Sequence, residues 1–187
     1  MLQNKSEQVI KFSKKWVVIV GFILFLAFSI LFLPGQTKLT ETYSAGLGSP
    51  DTSLFYTPAD LYHMAETYGA AGRAAYIKAR LTFDIAFPIL YTFFFVTSIS
   101  WFESHVLEKG NEFRTANMLP FFAMLFDLLE NACTAFVFSS YPTYIPFISM
   151  LAPFFTLLKW ICVGSSFLFL IIMIVWYFLH PSHGKKK

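Results

Sequence analysis

The sequence predicts an all-α membrane protein with four transmembrane helices and one short interfacial helix. Three observations support this fold class. Hydrophobic residues make up 56% of the 187 residues and charged residues only 13%, whereas a soluble domain is about a quarter charged. Four long apolar runs are each sufficient to cross a bilayer as a helix. The chain between them is too short for a second domain, so residues 1–187 are expected to form one four-helix domain with spans at about 16–33, 81–102, 119–139 and 154–178.

The first span follows a basic lead that holds Lys5, Lys11, Lys14 and Lys15. Trp16–Leu33 is an apolar run of 18 residues, and Pro34-Gly35 is expected to end it. The apolar core of a secretory signal spans about 7–15 residues, so a retained helix is favoured. Cleavage of a signal after about Ala45 is the alternative.

The loop at 34–80 is predicted to lie outside the cytoplasm and to be irregular in its first half. Thr57-Pro58-Ala59-Asp60 then has the features of a helix start, because Thr caps the backbone, Pro suits the first turn and an acid favours the helix N-terminus. This helix is expected to stop at Gly69. Nearby Tyr and Phe residues favour a position at the lipid headgroups.

The remaining runs are separated by charged or proline-rich segments. The second helix is predicted over Ala70–Phe102 with a kink at Pro88, followed by a charged connection over residues 103–114. The third span is predicted over Leu119–Ser139. The run after Tyr144 is too long for one straight crossing, so Pro146 and Pro153 predict an interfacial lead before a span at 154–178.

Basic residues predict the orientation. With four spans, nine basic residues share the side of the two termini, and four occupy the other side. The nine are Lys5, Lys11, Lys14, Lys15, Lys109, Arg114, Lys185, Lys186 and Lys187; the four are Lys38, Arg73, Lys78 and Arg80. The positive-inside rule therefore places both termini in the cytoplasm of a cell membrane, expected to be the bacterial inner membrane.

The third span contains the clearest functional signal. Asp127, Glu130 and Asn131 are spaced i, i+3, i+4, so they share one helix face within an apolar run. An intramembrane charge is costly and usually faces the bundle interior or a wet cavity. Intramembrane acids favour a functional site over a purely structural network, which is the alternative.

The second helix carries a matching polar stripe. At about 100° per residue, Arg80, Asp84, Tyr91 and Ser98 all return to within about 20° of the direction of Arg73. The alternative is an Arg80–Asp84 pair that only anchors the helix at the membrane surface. Lys159 in the fourth span is expected at a similar depth.

These residues predict an outward-facing acidic pocket. Its candidate ligand-binding residues are Asp84, Asp127, Glu130, Asn131, Tyr91, Arg80, Arg73 and Lys159. The first hypothesis is binding or transport of a small cationic or amphiphilic ligand, or of protons, with a homo-oligomer required for transport. The second is an enzyme that acts on a membrane lipid, with Arg73 and Arg80 holding the phosphate. The third is an accessory subunit whose acidic face docks a membrane partner protein.

Other classes of function have little support in the sequence. No cofactor motif and no metal-ligand spacing occur, so neither is expected, and the pair His63 and Glu66 is too small for a metal site. The basic residues lie at membrane edges, so nucleic acid is not expected as a partner. Cys133 and Cys162 are expected to pack within apolar runs.

Part of the chain resembles a family. The run Tyr68-Gly69, Gly72-Arg73, Tyr76, Asp84, Phe87-Pro88 and Tyr91, followed by Leu119-Pro120, Asp127 and Glu130-Asn131, is similar to four-helix integral membrane proteins of bacteria. The resemblance covers about residues 58–139. It implies the four-helix fold and brings no assigned activity.

Overall fold

The structure, a computed structural model, describes residues 2–180 and contains helices joined by short connections. The helices are α1 (Leu2–Phe12), α2 (Lys15–Tyr43), α3 (Pro58–Thr67), α4 (Gly69–Arg80), α5 (Phe83–Val106), α6 (Leu119–Ser140) and α7 (Pro146–Leu179). Two 3₁₀ turns lie at Pro50–Thr52 and Glu112–Met118, and residues 2–180 contain no strand. The predicted all-α class is confirmed. The basic residues Lys185, Lys186 and Lys187 lie outside the described residues.

Within residues 2–180, four stretches are long and apolar enough to cross a membrane. They are Lys15–Tyr43, Gly69–Val106, Glu112–Ser140 and Pro146–Leu179. The predicted number of apolar helices is therefore confirmed. The sides of the membrane on which the connections lie remain predictions.

Helix α6 lies at the centre of the bundle. It packs most extensively on α7 and also contacts α3, α4 and α5. Residues 44–68 form one end of the bundle, here called the loop end. Towards this end, Val137 and Phe138 of α6 pack in a core with Leu61 and Tyr76. Towards the end formed by α1, called the α1 end, Ala123 packs with Phe95 and Leu170. The polar residues of α6 lie between these two apolar clusters.

Helix α2 is peripheral and is held largely by aromatic side chains. It packs on α4 and α5. Phe25 stacks on Phe94 with ring centroids 5.2 Å apart, and Phe28 lies 5.4 Å from Phe83. Much of the remaining surface of α2 is apolar and exposed, as expected for a helix that faces lipid.

The expected end of the first helix at Pro34 is wrong, because α2 continues to Tyr43. Pro34 has no N–H, so the Ile30 carbonyl four residues earlier lacks its helical partner, but the helix continues through this position. Leu39 and Tyr43 then pack against the core at the loop end. Irregular chain is therefore confined to the segment after Tyr43.

The second helix is interrupted although one continuous helix was expected. Leu81 and Thr82 separate α4 from α5, whereas Pro88 lies inside α5. Because Pro88 has no N–H, the Asp84 carbonyl four residues earlier lacks its helical partner. The Asn131 side chain on α6 donates to that carbonyl at 3.2 Å. A contact between helices thus satisfies the group that the proline leaves free.

Two other boundaries also differ from expectation. Helix α5 continues to Val106, so Glu103 lies within a helix and is fully buried, not in a charged connection. Helix α7 runs without a break from Pro146, so residues 146–153 belong to the same helix as the predicted span, and their position at the membrane interface remains a prediction. Pro153 is tolerated inside α7 because one missing backbone donor does not end a long, well-packed helix.

The short helix α3 begins as predicted. The Thr57 hydroxyl accepts from the Asp60 N–H at 3.2 Å, and the Asp60 carboxylate accepts from the Thr57 N–H at 2.8 Å. These two bonds form a capping box. The hydrogen bonds that the exposed Asp60 carboxylate accepts from the Thr57 N–H and the Thr57 hydroxyl hold its pKa below the usual value. Helix α3 packs on α6 and α7, and its position at a membrane interface remains a prediction.

Candidate functional site

A cavity of about 640 Å³ lies among α2, α5, α6, α7 and the 3₁₀ turn at Pro50–Thr52. Much of its wall is aromatic and comes from Phe25, Phe87, Phe94, Phe95, Trp160 and Phe167. Its charged and phenolic lining is concentrated in a group formed by Asp51, Arg80, Asp84, Tyr91, Asp127 and Lys159. The cavity therefore combines an apolar chamber with a charged surface.

Arg80 organises one half of this charged surface. Its Nε lies 2.9 Å from Asp84 Oδ2, and its Nη1 lies 3.2 Å from Asp51 Oδ2. The same Nη1 donates to Asn131 Oδ1 at 3.2 Å, and the guanidinium lies 4.5 Å from the centre of the Tyr76 ring. Neighbouring side chains thus engage Nε and Nη1 of the guanidinium, which compensates for its burial.

Lys159 organises the other half. Its Nζ lies 2.5 Å from Glu130 Oε2 and 3.8 Å from Asp127 Oδ1. It also donates to the Asp51 backbone carbonyl at 3.2 Å, and Trp160 Nε1 donates to that same oxygen at 3.2 Å. The lysine therefore points inward and joins α6, α7 and the 3₁₀ turn.

Asp127 connects the two halves. Its Oδ2 accepts from the Tyr91 hydroxyl at 3.1 Å, and its Oδ1 accepts from Asn131 Nδ2 at 3.1 Å. Since Asn131 also accepts from Arg80, the carboxamide bridges the arginine and the aspartate. Side chains from α4, α5, α6 and α7 thus form one polar network.

Acids outnumber bases in this network. Four carboxyl groups, those of Asp51, Asp84, Asp127 and Glu130, surround the two cations of Arg80 and Lys159. If all six groups were ionised, the formal charge would be −4 + 2 = −2. A buried charge without a partner costs several kcal/mol or more, so the network favours uptake of protons or of a cation.

Seven of the eight predicted site residues come together. Arg80, Asp84, Tyr91, Asp127 and Lys159 line the cavity, whereas Glu130 and Asn131 lie behind them in the same network. Arg73 lies elsewhere. It donates to the Ala65 carbonyl at 2.9 Å and packs over the Tyr141 ring at 4.5 Å. Arg73 lies on the same helix as Arg80 but seven residues earlier, about 10 Å along α4, where Ala65 and Tyr141 engage it instead of the network.

The sequence-based analysis missed Asp51. It lies in the 3₁₀ turn, with 23% of its side chain exposed, and also accepts a hydrogen bond from Ser49. Burial acts to raise the pKa of this carboxyl, but Arg80, Lys159 and Ser49 outweigh burial and hold it below the usual 3.8. One signal was present: Asp51 is the only charged residue between Glu41 and Asp60.

The acidic side chains of the described residues are not grouped as metal ligands. Within residues 2–180, no group of three or more His, Cys, Asp or Glu side chains is placed to hold a metal ion. His63 and Glu66 lie exposed on α3, away from the cavity lining. Cys133 and Cys162 are free and partly buried against the two apolar clusters, as their positions in apolar runs indicated.

Comparisons of the chain with protein-family models, curated proteins and solved structures find no match. The resemblance of residues 58–139 to bacterial four-helix membrane proteins therefore stays a prediction.

Proposed function

We propose that this protein is a membrane protein that binds a small cationic, amphiphilic ligand in the cavity between α2 and α7. The observation that carries the proposal is the excess of two carboxyl groups over cations beside an aromatic chamber. A cavity of about 640 Å³ also falls within the usual size range of small-molecule sites.

The head group of the ligand would contact Asp84 and Asp127. Both line the cavity, whereas Glu130 is fully buried behind Lys159. Asp84 uses Oδ2 for Arg80, and its Oδ1 has no hydrogen-bond partner among residues 2–180. A ligand cation at this position would supply the charge that the network lacks.

The apolar body of the ligand would contact the phenylalanines. Phe25 on α2 stacks on Phe94 of α5 and packs against Phe87, and these rings line the chamber together with Phe95. Aromatic faces attract cations and also remove apolar surface from water. An amphiphilic cation therefore matches this lining better than an inorganic ion does.

The alternative of a lipid-directed enzyme has less support. It requires a cation free to hold a phosphate, but Arg80 is engaged by Asp51 and Asp84. Arg73 is engaged by Ala65 and Tyr141. The accessory-subunit alternative requires an acidic face open to a partner, whereas Phe25 and Leu33 of α2 line the cavity that the acids face.

In the proposed setting the protein crosses a cell membrane with both termini in the cytoplasm. The distribution of basic residues supports this orientation. The cavity would then lie nearer the outer surface, with α3 in the first outer loop. Transport of the ligand or of protons would additionally require a second conformation and an oligomer, because four spans are few for a transporter.

Equilibrium dialysis of the purified protein in detergent with tetraphenylphosphonium tests the binding proposal. We expect saturable binding that is at least about tenfold weaker in Asp127→Asn, the change produced by losing about 1.4 kcal/mol of contact energy. Triphenylphosphine oxide, a neutral molecule of related shape, should bind poorly. The matched control is Glu66→Gln, which removes an exposed acid outside the cavity.

Two results would contradict the proposal. One is equal binding of the cation and the neutral molecule. The other is unchanged cation binding in both Asp127→Asn and Asp84→Asn, provided that thermal unfolding shows both variants to be folded.

A further inference from the structure

A second site lies at the opposite end of the bundle, where α1 packs on α5 and on the 3₁₀ turn at Glu112–Met118. Arg114 pairs with Glu7 through Nε at 2.7 Å and Nη2 at 3.1 Å. Ser6 donates to the Arg114 carbonyl at 2.5 Å, and Asn117 donates to the Ser6 carbonyl at 3.3 Å. Helix α1 is therefore fixed against the bundle by one face.

The other face of α1 forms the rim of an apolar groove. Successive side chains of an α-helix are about 100° apart around its axis. By this geometry one face of α1, within about 60° of a single direction, holds Lys5, Gln8, Val9 and Phe12. Gln8, Val9 and Phe12 line a groove of about 500 Å³ that continues along α5 and α6. The groove and the ion-paired face of α1 thus lie on different sides of the helix.

The groove is suited to a hydrocarbon chain. Its α5 wall runs from Thr97 to Ile89, a length of about 12 Å at 1.5 Å per residue. The Thr97 hydroxyl donates to the Phe93 carbonyl at 2.7 Å, and the Thr92 hydroxyl donates to the Pro120 carbonyl at 3.1 Å. Both hydroxyls are therefore satisfied internally, and apolar groups dominate the lining.

Lysines are concentrated at the α1 end of the bundle. Exposed lysines without an ion pair among residues 2–180 occupy α1 and its junction with α2: Lys5, Lys11, Lys14 and Lys15. The only acid in the first 40 residues is Glu7, and Arg114 already neutralises it. Lys5 shares the face of α1 that lines the groove.

We infer that this groove binds one acyl chain of an anionic phospholipid, with the lipid phosphate at Lys5. The apolar lining supplies the affinity for the chain, and the lysine cluster supplies the preference for a negative head group. This site is independent of the acidic cavity, because the two share no lining residue.

Native mass spectrometry of the delipidated full-length protein tests this inference. The probes are phosphatidylglycerol and phosphatidylcholine with identical acyl chains. We expect phosphatidylglycerol to bind more strongly, and Lys5→Gln to weaken it about fivefold, as about 1 kcal/mol per surface lysine predicts. Lys38→Gln is the matched control, since Lys38 is also exposed and lies near the other end of α2.

A second variant tests the groove itself. Ile89→Trp places a large side chain at an exposed position of the lining and should displace the acyl chain. Ile85→Trp is its control, because Ile85 is exposed on the same helix outside the groove. Equal binding of the two lipids, or no change in Lys5→Gln and Ile89→Trp, would overturn the inference.

Discussion

Replacing Lys159 tests whether the buried network has more acids than its cations can balance. Lys159→Met keeps the length of the side chain but removes the cation that lies 2.5 Å from Glu130 and 3.8 Å from Asp127. Breaking a buried ion pair from one side costs about 3–5 kcal/mol, because it leaves a charge without a partner. For a chain of this size, that loss lowers the Tm by roughly 6–20 °C.

Glu130→Gln should be less harmful although it breaks the same pair. The carboxamide retains an oxygen that can accept from Lys159, and Lys159 retains the Asp127 carboxylate and the Asp51 carbonyl. Weakening one hydrogen bond to a charged group costs about 1–3 kcal/mol. An acid lost from a network with surplus acid also reduces repulsion among those that remain.

Thermal unfolding in one detergent at one pH gives the comparison. We expect Lys159→Met to have the lowest Tm, and the double variant Lys159→Met with Glu130→Gln to lose less than the sum of the two single losses. Equal losses for the two single variants, or strict additivity in the double variant, would refute the idea of surplus buried acid.

Three further predictions concern other parts of the chain. The pKa of Asp51 in the folded protein is below 3.8, so the ionised carboxylate should stabilise the fold above pH 3.8. This stabilisation should disappear as the pH falls through the pKa of the folded protein. The Tm difference between the native protein and Asp51→Asn should therefore narrow on acidification from about pH 6 to about pH 3. Gly72→Ala would place a Cβ 2.9 Å from Tyr43 side-chain atoms and should cost about 1–3 kcal/mol, whereas Gly164→Ala meets nothing within 4 Å and should not lower the Tm. Glu103→Gln should raise the Tm, because both oxygens of the fully buried Glu103 lack a side-chain hydrogen-bond partner. Arg114 would retain its ion pair with Glu7 in this variant. A lower Tm would show that the Glu103 charge is needed.

The polar positions that form the network were largely visible in the sequence. Helical spacing alone placed Asp127, Glu130 and Asn131 on one face, and the cost of burying charge predicted that this face points inward. The structure buries all three. Lys159 could not be assigned in the same way, because a single lysine in an apolar run can either pair or extend outward.

The helix ends depended on partners that the sequence does not indicate. Pro88 lies inside α5, where Asn131, more than 40 residues away, donates to the carbonyl that the proline leaves free. Pro34 was expected to end a helix, yet Leu39 and Tyr43 pack on the core beyond it. The local effect of a proline is one missing backbone donor. Tertiary contacts decide whether the carbonyl left free gains another partner and whether the helix continues.

The sequence by itself determined that the protein is helical, that four helices are apolar enough to cross a membrane, and that acids lie within one of them. These are local properties, because helical period and apolar length are set by neighbouring residues. Only the tertiary structure brought Asp51 to Lys159 across 108 positions and docked α1 on Arg114. Such contacts depend on how the helices pack, since no local pattern specifies which distant charge will compensate a buried one.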